Sequence, residues 1–202
     1  MKNKEETKRR LINAVGEILK NEGYSALRVN NIARKAGVNK SLIYRYFRTL
    51  EYLIEAYVVE KDYWMTFSNS LNDLIQNNRS LSSQPLVTQL LQNQFTFFLS
   101  EPEMQRLIHW ELSGQSRLMT SIHNARESNG QKLLEMTDEH FKNKKINFRA
   151  VSALLVGGIY YTILHTRSNG GTFCDIDVKS SDGQNEILKS IEQIVEWAYE
   201  KS

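Results

Sequence analysis

Apolar residues recur at helical spacing through most of this chain. Over residues 11–19 they fall at Leu11, Ile12, Val15, Ile18 and Leu19, the stripe of an amphipathic helix that Gly23-Tyr24 closes. Two shorter segments follow, near residues 31–36 and 39–47, with Ala36-Gly37-Val38 between them. Helices this short are unstable in isolation and must pack on each other. Ile32 and Ala33 mark the buried side of the first, and the small Ala36 allows close approach. Gly37 sits where a helix ends, because glycine takes the left-handed conformation without a Cβ penalty. Asn39 can then cap the second helix by accepting from amides two or three residues on. From that cap Val38, Ile43 and Phe47 fall on one side, and Lys40, Ser41, Tyr44 and Arg45 on the other.

Beyond this region the pattern predicts a long helix over residues 50–77 and further helices near 85–99, 102–112, 116–142, 148–168 and 184–200. The only two prolines, Pro85 and Pro102, stand where proline can open a helix. No segment sustains period-2 alternation, so the chain is expected to be all-α. Its 202 residues leave room for a small head, residues 1–49, and a larger domain with its own core, residues 50–202.

The two final helices carry the strongest apolar signal. Residues 150–164, AVSALLVGGIYYTIL, contain no charge. Fifteen residues fall short of the roughly 20 a membrane helix needs, so such a helix must be covered by protein on most sides. Leu155, Gly158 and Ile159 here, with Ile187, Ile191, Ile194 and Val195 on the last helix, form a candidate association surface. The same residues would equally serve an intrachain core.

Charge changes the picture of the head. Residues 1–50 hold twelve lysines and arginines against four glutamates, whereas the rest holds 14 basic against 19 acidic residues. A formal net charge of +3 thus conceals a basic head on an acidic body. Such asymmetry points to nucleic acid, or to an anionic membrane surface, as the head's partner. Two short helices whose outer face offers cations, a hydroxyl and a phenol have the layout of a helix-turn-helix reading the major groove. The plainer alternative is a solvated helical hairpin, and Lys8-Arg9-Arg10 alone reads as a solvated charge run.

These residues carry a family resemblance. Over residues 7–53, about a quarter of the chain, the sequence resembles the N-terminal domain of the TetR family, the tetracycline-repressor-like bacterial transcription regulators. The likeness lies in LINAVGEILKNEGYSALRVNNIA, the AGV turn, KSLIYRYF, and Glu51 and Leu53 after it. It implies a three-helix DNA-binding domain followed by a larger helical ligand-binding and dimerisation domain. The DNA-binding residues it implies are Arg28, Asn39, Lys40, Ser41, Tyr44, Arg45, Tyr46 and Arg48, with the two tyrosines reaching phosphates. Three positions depart from the family pattern. Arg28 stands where threonine is common, Leu42 replaces a small polar residue, and Leu50 replaces a lysine for which Arg48 can substitute.

The resemblance further implies a homodimer through the last two helices and a double-stranded, palindromic operator. It also implies a small, largely apolar effector that releases the repressor. Tyr63, Trp64, Phe67, Phe95, Phe98, His109, Trp110, Tyr160 and Tyr161 would line the effector pocket. Aromatics at helical spacing also suit an ordinary core.

Other chemistry is thin, and no enzyme activity, cofactor or metal is expected. None of His109, His123, His140 and His165 forms an i, i+4 pair with another. Cys174 is the only cysteine, which excludes an intrachain disulfide. The N-terminus is charged where a secretory signal needs an apolar stretch, so a cytoplasmic location, with no membrane partner, is expected.

Overall fold

The structure is a computed structural model that describes residues 2–62, 82–113 and 117–202. Every extended regular element in those residues is a helix. They are α1 (Lys2–Asn21), α2 (Val29–Ala36), α3 (Ser41–Phe47), α4 (Leu50–Lys61), α5 (Ser83–Ser100), α6 (Pro102–Ser113), α7 (Arg117–Phe141), α8 (Phe148–Asn169) and α9 (Ser181–Glu200). A 3-10 turn, Tyr24–Ala26, joins α1 to α2, and one isolated antiparallel bridge pairs Phe173 with Ile176. The fold is all-α, as the hydrophobic spacing predicts. The long helix expected over residues 50–77 is seen as far as Lys61, and its remainder lies outside the described residues.

One helix start differs from the sequence reading. The last helix was expected from near residue 184, but α9 begins at Ser181 because Ser180 Oγ accepts from the Gly183 N–H at 3.0 Å. Gly183 is buried in that first turn, where a Cβ would lie 2.0 Å from the Asp177 carbonyl oxygen. Glycine is required here by close approach rather than as a helix breaker.

The chain forms two compact units. The first comprises Met1–Asn69 and Pro102–Glu127. Its centre is α1, which packs on α2, α4 and α6 through Leu11, Ala14, Val15, Ile18 and Leu19, all buried; Ile12 is half-buried. Burying one such aliphatic side chain contributes about 1.5–3 kcal/mol. Gly16 lets α4 come close, since a Cβ there would stand 2.7 Å from the Tyr57 ring. Tyr57 in turn donates its hydroxyl to Glu103 on α6, and Arg106 donates to the Leu19 carbonyl at 3.2 Å. Helix α4, although it follows the sequence boundary at residue 49, packs on α1 and α3 within this unit.

The second unit comprises Ser70–Glu101 and Ser128–Ser202. Within it α5 packs on α8 and α9 through Val87, Leu90, Leu91, Phe95 and Phe98, and α9 answers with Ile191, Val195 and Ala198. Phe141, Phe148 and Tyr199 join in an aromatic cluster, with Phe141 stacked on Phe148 at 4.7 Å. Arg149 donates two bonds to Asp138, at 3.0 and 2.6 Å, fastening the start of α8 to α7. That hydrogen bonding holds the Asp138 carboxyl below its ordinary value against the opposing effect of burial.

Candidate nucleic-acid interface

The interface is built on the turn between α2 and α3. Gly37 takes the left-handed conformation, φ 63° and ψ 40°. Its N–H reaches the Arg34 carbonyl at 3.1 Å while the Val38 N–H reaches Ala33 at 3.0 Å, the paired bonds of a Schellman ending. Arg10, on α1, adds a cap: its Nη2 donates to the carbonyls of Ala36 and Gly37. A cation at the end of a helix also satisfies the negative pole of its dipole.

Beyond the turn, Asn39 Oδ1 accepts from the Ser41 N–H at 2.9 Å, so the expected cap is made ahead of α3. Ile43 is fully buried, anchoring one face of α3, with Leu42, Tyr46 and Phe47 half-buried. On the opposite side Lys40, Ser41, Tyr44 and Arg45 are exposed, and Tyr44 keeps 53% of its surface open. These four residues present one row of donors on the outer side of α3.

The cations of the head fall into two groups. Arg9 pairs with Glu60 at 2.5 Å, Lys35 with Glu17 at 3.1 Å and Lys8 with Glu5 at 3.2 Å, while Arg10 caps α2. Of the Lys8-Arg9-Arg10 run, Arg9 thus reaches α4 and Arg10 reaches the end of α2, while Lys8 pairs only within α1. Among the described residues Lys4, Lys20, Arg28, Arg34, Lys40, Arg45 and Arg48 make no ion pair and are exposed, and of these Arg28, Lys40, Arg45 and Arg48 lie at the ends of α2 and α3 or on α3 itself. Arg45 lies 6.0 Å from the Tyr46 ring centroid, within cation–π range. Arg28 precedes α2 without capping it by its side chain and sits in an open depression lined also by Glu22, Ser25, Ala26 and Asn31.

The end of α3 is held in an unusual turn. Arg48 has φ 67° and ψ −51°, and the Thr49 N–H donates to the Phe47 carbonyl at 2.8 Å. This is a γ-turn with positive φ, a rare and strained conformation for a side-chain-bearing residue. It turns the chain sharply into α4, whose first turn Thr49 caps by accepting from the Tyr52 N–H at 3.3 Å. Leu50 is half-buried at that start.

Residues expected at the effector pocket fall in both units. Tyr63, Trp64 and Phe67 lie outside the described residues. In the first unit His109 is exposed and Trp110 stacks on Tyr24 at 5.1 Å. In the second, Phe95 and Phe98 are buried and Phe98 meets the Tyr160 ring edge-on at 4.7 Å. Tyr161 instead turns outward, 56% exposed, and rests on His165 and Phe173.

The expected association surface divides in a similar way. Ile159, Ile191 and Val195 are buried inside their own unit and serve its core, because they lie on the faces of α8 and α9 that meet α5. Leu155, Ile187 and Ile194 are half-covered, and Gly158 is exposed. The large apolar positions left outside on these two helices are Leu154, 78% exposed, Tyr161 and Trp197, 54% exposed, with the exposed Gly157 and Ala153 close to Leu154 along α8. Sequence spacing marked the helices but not which flank each residue occupies.

No local pattern announces the buried charge cluster of the first unit. Arg126 on α7 donates to Asp62, at the end of α4, at 2.7 Å and also to Glu111 on α6. His123 lies 3.7 Å from Glu111. The cluster ties the last described residue of the α4 segment to two other helices. Among the described residues no group of three His, Cys, Asp or Glu side chains could hold a metal ion.

Comparison with known proteins agrees with this geometry. Residues 11–57 match the family model described as "Bacterial regulatory proteins, tetR family". No curated protein sequence matches the chain. Among solved structures, the transcriptional regulator FadR from Bacillus subtilis, in complex with stearoyl-CoA, is 16% identical with a TM-score of 0.67, covering 96% of this chain and 98% of its own. The fatty acid degradation regulator FadR from Bacillus halodurans is 18% identical, TM-score 0.66, over 93% of this chain and 96% of its own. A TetR family transcription regulator from Marinobacter aquaeolei is 17% identical, TM-score 0.63, over 96% and 98%. The head is therefore a TetR-family DNA-binding domain, and the whole chain has the fold of a TetR-family transcription regulator.

Proposed function

We propose that this chain is a homodimeric repressor that occupies a palindromic operator and leaves it when a small, largely apolar ligand binds. The observation that carries the reading is the exposed row Lys40, Ser41, Tyr44 and Arg45 on α3, backed by the buried Ile43 and free of internal ion pairs among the described residues. Residues 1–49 bind DNA and residues 50–202 hold the effector and the dimer contacts, in the cytoplasm. A two-fold dimer sets its recognition helices about one DNA turn apart, roughly 34–36 Å.

The dimer contact follows from α8. This 22-residue helix is long and apolar enough to cross a membrane, with a mean hydropathy of 1.3 over its best window, of which only 28% is buried. Yet Ile159, Thr162, Ile163 and Thr166 cover one side of it inside the unit. A helix already packed along one side needs a single partner surface rather than lipid all round. A second copy meeting Leu154, Gly157 and Gly158 supplies that surface, and a Cβ added at either glycine meets nothing within 4 Å, leaving room for a close backbone.

The stearoyl-CoA carried by the Bacillus subtilis regulator makes an acyl thioester the first effector to try. An effector acts only through its preference between the DNA-competent dimer and the released one, a coupling of typically about 1–3 kcal/mol. The test is genome-wide mapping of bound DNA, then anisotropy on the enriched fragment with and without stearoyl-CoA, alongside sedimentation of the free protein. A dimer that binds a palindrome and releases it on adding the thioester is expected. No enriched site would remove the regulator reading, and unaltered affinity would remove the acyl effector.

A further inference from the structure

The side-chain amide of Gln94 is buried to 1% exposure, and among the described residues neither its Oε1 nor its Nε2 has a hydrogen-bond partner. An unmade bond at a buried amide is expensive, and buried side-chain polar groups in native proteins are nearly always satisfied. Gln94 lies on the inner stripe of α5, between Leu90 and Leu91 one turn before it and Phe98 one turn after. Phe98 itself abuts Tyr160 of α8. The amide therefore lies on the apolar inner face of α5.

A lone water would serve it badly. Buried waters make two to four hydrogen bonds, and the residues one turn either side of the amide on the buried face of α5, Leu90, Leu91 and Phe98, offer it none. A charged head group fits no better, since α5 and the 150–164 stretch of α8 packed on it contain no charged residue, and Lys189, the one lysine of α9, is exposed. An anion there would be buried without compensation.

We infer that Gln94 is the polar anchor of the effector site, and that the effector it selects is an apolar molecule carrying a neutral carbonyl group, of amide, ester or thioester type. A carbonyl oxygen accepts from Nε2, and an amide N–H donates to Oε1 as well, so a carboxamide satisfies both halves of the glutamine at once. The inference rests on the proposed response to an apolar ligand and adds which residue reads the ligand's polar end.

The test uses the full chain and three probes of equal length: decanamide, decane and decanoate. Binding is measured by thermal denaturation, and the Gln94 side-chain amide is followed by NMR. Wild type is expected to bind decanamide roughly 30-fold more tightly than decane, the value of two neutral hydrogen bonds, and decanamide should move the Gln94 amide resonances. Gln94→Leu should bind decane as before and decanamide no better than decane. Without ligand it should be at least as stable as wild type, because it removes an unsatisfied group. Gln94→Met, closer in length, provides the same comparison should leucine pack poorly. Equal binding of decanamide by wild type and both variants overturns the anchor but leaves an apolar effector standing. Preference for decanoate overturns the neutral head group. Failure of wild type to bind any probe overturns both the anchor and the proposed ligand response.

Discussion

Arg10 and Gly37 form a single joint. Arg10 Nη2 donates to the Ala36 carbonyl at 2.6 Å and the Gly37 carbonyl at 3.0 Å, and it stands 2.8 Å from where a Cβ on Gly37 would lie. Two reasons for glycine thus coincide, a positive φ and a guanidinium in the space a side chain would need. Gly37→Ala should destabilise the head by about 1–2 kcal/mol from backbone conformation alone, with more from displacing Arg10. In urea denaturation the two substitutions Gly37→Ala and Arg10→Ala should be non-additive by at least about 0.5 kcal/mol, as for groups sharing a contact. Strict additivity would show that the guanidinium and the turn act separately.

The division of cations predicts different salt responses. Lys40→Ala should weaken operator binding and lower the slope of log affinity against log salt by about 1, the signature of one lost phosphate contact. Arg9→Ala, which breaks the pair with Glu60, should leave that slope unchanged while lowering stability slightly. Tyr44→Ala should weaken binding with the helical circular dichroism intact. Equal slopes for the Lys40 and Arg9 variants would contradict the assignment.

Arg48 offers a sign test. Replacing an exposed residue by glycine in ordinary helix costs roughly 1 kcal/mol, but Arg48 sits at φ 67°. Arg48→Gly should be neutral or stabilising by up to about 1 kcal/mol, since it relieves that strain, and should still weaken DNA binding. A thermal melt together with an anisotropy titration separates the two effects; a clear loss of stability would mean the turn is unstrained.

Leu154 tests the partner surface without touching the core. It is 78% exposed in the single chain, so Leu154→Arg should leave the monomer's melting behaviour nearly intact and abolish the dimer in sedimentation. Ile159→Arg, at a buried position, should instead unfold the second unit. A Leu154→Arg protein that remains dimeric would place the interface elsewhere.

Tyr199 links the second unit to alkaline pH. Burial raises its phenol above the ordinary value, partly offset by the 2.7 Å hydrogen bond with Ser83. The folded state therefore favours the neutral phenol. Its contribution is fully present below the ordinary tyrosine value, near about 10, and is lost as pH rises through the raised one. Tyr199→Phe should cost about 1 kcal/mol at neutral pH through the lost bond. Against wild type it should lose less stability between neutral pH and pH 11; parallel curves would refute the link.

Much of the head was legible because its signals are local. Glycine at a helix end, an asparagine two residues before the next amides and apolar spacing around Ile43 each act within a few residues. The rest depended on residues distant in sequence. Nothing near Arg10 announces that it caps a helix 26 residues on, and nothing near Arg126 announces Asp62, 64 residues away. Gln94 is one polar letter in an apolar stripe, readable as a surface position until packing buries it.

By itself the sequence determined the helices, the turn that sets α3 against α2, and the basic character of the head, since periodicity, backbone preference and charge are properties of neighbouring residues. Tertiary structure alone decided which cations are consumed internally and which remain available. It also turned Ile159 inward and Leu154 outward and left the Gln94 amide without a partner among the described residues. Those outcomes depend on which faces meet across the fold, and one turn of a helix offers every face equally until a neighbour covers one of them.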